Sequence, residues 1–116
     1  YLTARPAWMR EGTVETLSRL GFPMCVPRTV LVLKPDTTVS DTTYKDEAMT
    51  WLASLGVVIV AADNEPGHCN GMRTAFERAR VLHVNTRHSV GAPPLQSGVD
   101  VVAALSEGVL APEGSP

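Results

Sequence analysis

Aromatic residues, cysteines and excess charge of either sign are all scarce in this chain of 116 residues. Two Trp, two Tyr and two Phe offer few rings for bases to stack on, and ten Lys plus Arg against twelve Asp plus Glu leave a net charge of −2. A nucleic-acid-binding module needs a basic stripe interleaved with aromatics, so nucleic acid is not an expected partner. Nonspecific attraction to an anionic membrane is disfavoured for the same reason. Cys25 and Cys69 are the only cysteines and form no CxxC pair. Zinc and redox chemistry therefore lack their spacing, and two reduced thiols in a cytoplasmic protein are expected over a disulfide. His68, His83 and His88 show no HxxxH spacing, which again speaks against zinc. No apolar segment approaches the roughly 18 residues that span a bilayer. Tyr1-Leu-Thr-Ala-Arg-Pro6 lacks the basic-then-apolar order of a signal peptide. There is no internal repeat and no low-complexity tract.

What the chain does have is an ordinary globular composition, 44% apolar and 19% charged, and enough length for one domain with a real core. Its periodicity alternates between helix and strand. The spacing of Met9, Thr13, Leu17 and Leu20 predicts a helix from Pro6 to Leu20, stopped by Gly21. Two prolines make Phe22 to Arg28 a loop. Thr29 to Leu33 reads as a strand and Lys34 to Ser40 as a polar loop. Asp41, Thr42 or Thr43 caps a second helix running to Leu55, with Tyr44, Ala48, Trp51 or Leu52, and Leu55 inward and Gly56 ending it. A third helix is expected from about Gly67 to Ala79, a strand from Val81 to Asn85, a loop from Arg87 to Ser97, and a last helix from Val99 to Leu105. Trp8 and Trp51 are expected to pack. His83, on an apolar strand, is expected in the core or at an edge. Alternation of this kind implies parallel βαβ units: an α/β fold, a partial Rossmann-like three-layer sandwich with a mostly parallel sheet. The ends of Leu2, Leu33 and Ala62 are expected along one edge of one sheet.

The most informative stretch is Val57-Val-Ile-Val-Ala-Ala62, which stops abruptly at Asp63-Asn64-Glu65-Pro66. Six small or β-branched apolar residues read as a strand buried on both faces. Ligands of open α/β sheets bind just past such strand ends. A carboxylate held there suits a hard cation such as Mg²⁺. The plainer alternative is a turn, with Pro66 opening the next helix. Two other positions join Asp63. Thr3 offers a hydroxyl at a strand end ahead of a helix, where backbone N–H groups also meet anions. Lys45 lies near the start of the second helix, against the dipole, where an anion would offset its charge; taken singly it is a surface lysine paired with Asp41. Arg5 is either a phosphate contact or a surface cation. His88, in a loop near the same edge, is a candidate substrate contact.

In this order, a Thr, a Lys opening a helix and an Asp at the next strand end resemble the haloacid dehalogenase-like hydrolases. Tyr1-Leu-Thr-Ala-Arg-Pro6 with its helix and Leu20-Gly-Phe-Pro23 is similar to the family's second motif. Tyr44-Lys45-Asp46 resembles the lysine segment, and Val58-Ile-Val-Ala-Ala-Asp-Asn-Glu-Pro66 the fourth, acidic motif. His83-Val-Asn-Thr-Arg-His-Ser89 looks like the closing strand and loop of some members. The resemblance covers roughly residues 1–106, giving a core over 1–108 and a flexible tail over 109–116. It implies Mg²⁺-dependent phosphoryl transfer through an aspartyl-phosphate. Thr3 would hydrogen-bond a phosphoryl oxygen, with the Ala4 N–H beside it and Arg5 near the substrate. Lys45 would offset the charges of nucleophile and phosphate, and Asp63 would hold Mg²⁺, with Asn64 orienting it and Glu65 ranked ahead of Asn70 as second acid.

The family's first motif, Asp-x-Asp-x-Thr, is not in the sequence; Asp36-Thr-Thr-Val-Ser-Asp41 does not have that pattern. The chain alone is therefore expected to be inactive, a fragment whose nucleophile comes from an upstream segment or a companion chain. Lys34 to Thr43 is too short for the full cap domain on which specificity in that family usually rests. Two other functions remain open: a non-catalytic interaction domain that pairs through an exposed sheet edge, and a phosphatase domain that heals nucleic-acid ends.

Overall fold

The structure, a computed structural model, describes residues 1–35 and 38–103. The expected tail over 109–116 lies outside the described residues. The fold is α/β, with all paired strands parallel and gathered in two small sheets, consistent with a partial α/β sandwich. Two compact units make up the chain, Tyr1–Lys45 and Asp46–Pro116.

In the first unit, β1 (Leu2–Pro6) pairs with β2 (Val32–Lys34), Leu2 against Val32 and Thr3 against Leu33. Between them run a 3-10 turn (Ala7–Met9) and α1 (Arg10–Arg19). The first helix thus starts four residues later than Pro6 suggested, because Pro6, at ψ 156°, is still extended. Thr13 is its buried residue, and Leu20, expected inward, is 65% exposed. Gly21 ends α1 as expected: it sits at φ +89° while its N–H reaches Ser18 O and that of Phe22 reaches Leu17 O, the paired bonds of a left-handed helix stop. Trp8 is exposed, not packed.

Helix α2 (Asp41–Leu55) ends where expected and starts at Asp41, one of the residues expected to cap it. Its cap is Ser40, not Asp41, Thr42 or Thr43: Ser40 Oγ accepts the Thr43 N–H at 3.1 Å. Asp41 is occupied elsewhere. Its carboxylate takes the buried Lys34 ammonium at 2.7 Å, and Lys34 is not a loop residue but the buried end of β2. The Asp41 side chain is 61% exposed, so solvent screens the pair, while Val39 O still accepts from Lys34 Nζ at 3.0 Å. Asp41→Asn is expected to cost about 1–2 kcal/mol in urea unfolding, and an unchanged midpoint would show that the pair contributes nothing. Tyr44 and Ala48 are buried as the stripe requires, and Leu52, the alternative to Trp51, packs partly buried against the core; Met49 is buried as well, while Trp51 and Leu55 stay exposed.

The second unit holds β3 (Val60–Asp63), α3 (Pro66–Ala75), β4 (Arg80–Val84) and β5 (Val99–Val102), in the order β3-β4-β5. The last element of the described residues is a strand where a helix was expected from Val99: β5 runs parallel to β4 with Val99 against Val81 and Val102 against Val84. Ladder pairing overrides the helical reading of so short an apolar run. Ala62 therefore shares a sheet with β4 and β5, whereas Leu2 and Leu33 share the other; one sheet carrying all three ends is not what the described strands form. Pro66 opens α3 as expected, and the helix ends at Ala75, short of Ala79. There Phe76 leaves the helix to bury its ring, and the Arg73 guanidinium gathers the carbonyls of Phe76, Glu77 and Ala79. The core joins Met49, Cys69, Phe76, Ala79 and Val81.

The strand of the apolar run is not buried on both faces. Exposed and half-buried residues alternate along β3, Val57 is 65% exposed and Ile59 71%. β3 is an edge strand with β4 on one side, and α3 packs against the sheet face that carries Ala61. The composition of a two-faced central strand is thus carried by a strand with one covered face.

Candidate functional site

Thr3 lies inside β1 and not at its end, but the regular ladder stops there. Pairing jumps from Thr3↔Leu33 to Pro6↔Lys34, so Ala4 and Arg5 form a bulge, a device common beside active sites. Thr3 Oγ1 accepts the Arg5 N–H at 3.2 Å and fixes the turn of that bulge. The Arg5 guanidinium reaches back to Thr13 Oγ1 at 3.4 Å. Lys45 is 9% exposed, and its ammonium stands 3.5 Å from the carbonyl of Leu2, the residue before Thr3. A lysine buried to this degree is not the solvated surface cation of the plain reading, and it brings positive charge to the strand that carries Thr3.

In the second unit, Asp63 is the last residue of β3, and its side chain is 14% exposed. One oxygen accepts the Glu65 N–H at 2.8 Å, which turns the chain into α3; the other lies 3.5 Å from His68 Nδ1. Parallel register sets Asp63 against His83, so both side chains stand on one sheet face. His83 is buried at 4% exposure, as its apolar strand suggested, and its Nε2 donates to the carbonyl of Asn64 at 2.9 Å. A carbonyl only accepts, so Nε2 carries a proton. That Nδ1 is buried without a hydrogen-bond partner among the described residues. His88, exposed in the following loop, holds its ring 5.9 Å from that of His83.

Asn64 and Glu65 are not gathered into an acidic cluster with Asp63. The Asn64 side-chain amide donates to Arg87 O at 2.7 Å, and both Glu65 oxygens receive the Ser89 N–H, at 3.0 and 3.3 Å. Asn70 likewise turns to Pro94 and Gln96. Among the described residues, no group of three or more His, Cys, Asp or Glu side chains is placed to hold a metal ion. Thr3 with Lys45, and Asp63 with His68 and His83, are the local groupings the two units supply. Sequence reasoning missed the His83–Asn64 bond, for which the one signal was a histidine in the middle of an apolar strand.

Both cysteines are free thiols. Cys69 is fully buried and donates to Asp63 O at 3.4 Å; burial first, and then the Asp63 charge, push its pKa from 9.0 up to about 11. The folded state therefore keeps its proton where the unfolded state has lost it. Stability should fall as pH rises from about 9 to about 11, by up to about 1.4 kcal/mol per pH unit, and be insensitive to this thiol below that window. Urea unfolding at both pH values should show a steeper loss in the wild type than in Cys69→Ala. Parallel losses would exclude the thiol as the cause.

Comparison with protein-family models, with curated proteins and with solved structures finds no match to this chain. No helix of the described residues is long and apolar enough to cross a membrane.

Proposed function

We propose that this chain supplies part of a Mg²⁺-dependent phosphohydrolase of the haloacid dehalogenase type, in which Thr3 and the Ala4 N–H bind a phosphoryl oxygen, Lys45 offsets the anionic charge, and Asp63 holds the metal. The observation that carries it is the buried Lys45, whose ammonium reaches the Leu2 carbonyl next to Thr3. A buried ammonium beside the strand that carries Thr3 is suited to offset the charge of a phosphoryl group during turnover. For the metal, the half-buried Asp63 carboxylate is the fitting donor. Mg²⁺ keeps several waters and takes only one or two carboxylates from a protein, so a cluster of three is not required. When bound, the ion would neutralise phosphoryl oxygens; this chain's part is to orient the Asp63 carboxylate through the Glu65 N–H.

The nucleophile is assigned to a strand carrying Asp-x-Asp, from an upstream segment or a companion chain. The open edge of β3, with Val57, Ile59 and Val60 exposed beside it, is a place such a strand can pair. The same edge favours the second reading, a non-catalytic interaction domain. Two free thiols support a cytoplasmic setting. The test is hydrolysis of p-nitrophenyl phosphate by the intact gene product isolated from its source. Activity that needs Mg²⁺ and falls at least about 100-fold in Lys45→Ala is expected. An intact product that is inactive with Mg²⁺ overturns the enzyme and leaves the interaction domain.

A further inference from the structure

Residues 85–98, which join β4 to β5, form a long connection without helix or strand. Irregular segments of this length inside a compact unit are uncommon and are usually either functional or disordered linkers. This one is tied down along its course. Arg87 O is held by the Asn64 amide and the Ser89 N–H by the Glu65 carboxylate. Asn70 grips Pro94 O at 3.0 Å and the Gln96 N–H at 2.8 Å, and Leu95 packs against the core. Gly98, at φ +91°, turns the chain into β5, and a Cβ there would stand 3.2 Å from Arg73 Cδ. The loop begins directly after the strand that carries His83, the register partner of Asp63, and so leaves β4 beside the end of β3.

The loop itself holds no Asp or Glu and carries Arg87 and His88, in a chain whose net charge is −2; Arg80, on β4, is already paired with Asp100 at 3.1 Å. Arg87, His88 and Ser89 are exposed in succession on the pinned loop. Side chains with guanidinium, imidazole and hydroxyl donors on a backbone held at Arg87 O and Ser89 N–H suit an anion, and guanidinium pairs with phosphate or carboxylate through two hydrogen bonds.

We propose that loop 85–98 is an anion-reading element of the substrate site, that Asn64 and Glu65 are positioning residues which hold it and not metal ligands, and that the substrate carries a second anionic group, phosphate or carboxylate, besides its phosphoryl group. The substrate part rests on the phosphohydrolase reading; the holding of the loop does not. The test uses hydrogen exchange and calorimetry on this chain. Asn64→Ala and Glu65→Ala should speed amide exchange over residues 86–97 at least tenfold, whereas Glu65→Gln, whose side-chain oxygen still accepts the Ser89 N–H, should keep the protection. With Mg²⁺ present, methylenebisphosphonate or phosphonoacetate should bind at least tenfold tighter than methylphosphonate; Arg87→Ala should remove that advantage, Glu65→Ala should weaken it and Glu65→Gln should retain it. Preference for the bisphosphonate alone assigns the second group as phosphate, and for phosphonoacetate alone as carboxylate. The proposal is overturned if neither is preferred, if Arg87→Ala keeps the preference, if exchange is unchanged in Glu65→Ala, or if Glu65→Gln loses Mg²⁺ binding. Binding of the two-anion probes through Arg87 with no Mg²⁺ binding would sink the phosphohydrolase and leave the loop assignment standing.

Discussion

Asp63→Asn should abolish the whole Mg²⁺-dependent gain in thermal stability while leaving the metal-free protein nearly as stable as the wild type. The replacement is close to isosteric. An asparagine side-chain oxygen still accepts the Glu65 N–H that Asp63 holds at 2.8 Å, so the turn from β3 into α3 survives. What is lost is the anionic charge that a hard cation requires. With Mg²⁺ at tenfold its dissociation constant, the bound ion stabilises the native state by about 1.4 kcal/mol, and each kcal/mol moves the midpoint of a domain this small by roughly 4–8 °C. The wild type should therefore gain several degrees in Mg²⁺ and the variant none. Asp63→Ala is the complementary probe. It removes charge and acceptor together, so it should also lose about 1 kcal/mol without metal, the worth of the turn's hydrogen bond. A wild type indifferent to Mg²⁺ would remove the metal from the site and favour the interaction domain; a variant that still responds would move the metal to other ligands.

Where local chemistry alone decided the outcome, the chain was legible. Helix α2 ends where expected because Gly56 follows Leu55, and Gly21 and Pro66 do what their backbones permit. Asp63 at the end of a parallel strand was readable from the abrupt change from Ala62 to Asp63. Illegible were the features that depend on pairing across the chain. Val99–Val102 is apolar enough for helix or strand, and only the β4 ladder settles it. Val57–Ala62 has the composition of a buried strand, but only Val60–Ala62 enters one, β3, and that strand takes an edge position, which no local pattern encodes. Likewise, Asn64 and Glu65 next to Asp63 look like a ligand set in one dimension. Their partners, Arg87 and Ser89, lie more than twenty positions on, and a hydrogen bond of that separation leaves no mark on spacing. The same holds for Lys34, which reads as the start of a polar loop until Asp41 folds back onto it.

Leu82→Ala should be severely destabilising, by about 2–5 kcal/mol. Leu82 has no exposed surface. It lies in β4, the central strand of its sheet, between Ala62 on β3 and Asp100 on β5. Both register partners are small or polar, and its sheet face, shared with Val60, Val84 and Val102, is opposite the one where Val81 meets Cys69 and Phe76. Strand neighbours fixed by ladder hydrogen bonds cannot close readily on the space that truncation leaves, and incomplete collapse is what carries such losses to the upper part of the range. Val101→Ala, on a residue 56% exposed in β5, is the internal control and should cost less than about 1 kcal/mol. Urea unfolding followed by circular dichroism separates the two: the Leu82→Ala midpoint should fall sharply with the slope preserved, because packing is lost and not surface exposed. Since a domain has only about 5–15 kcal/mol in hand, this one side chain can decide whether β3, and Asp63 at its end, stays paired at all. A loss no greater than that of Val101→Ala would mean that the sheet is held by its ladders and α3, and that Leu82 is buried without bearing on stability.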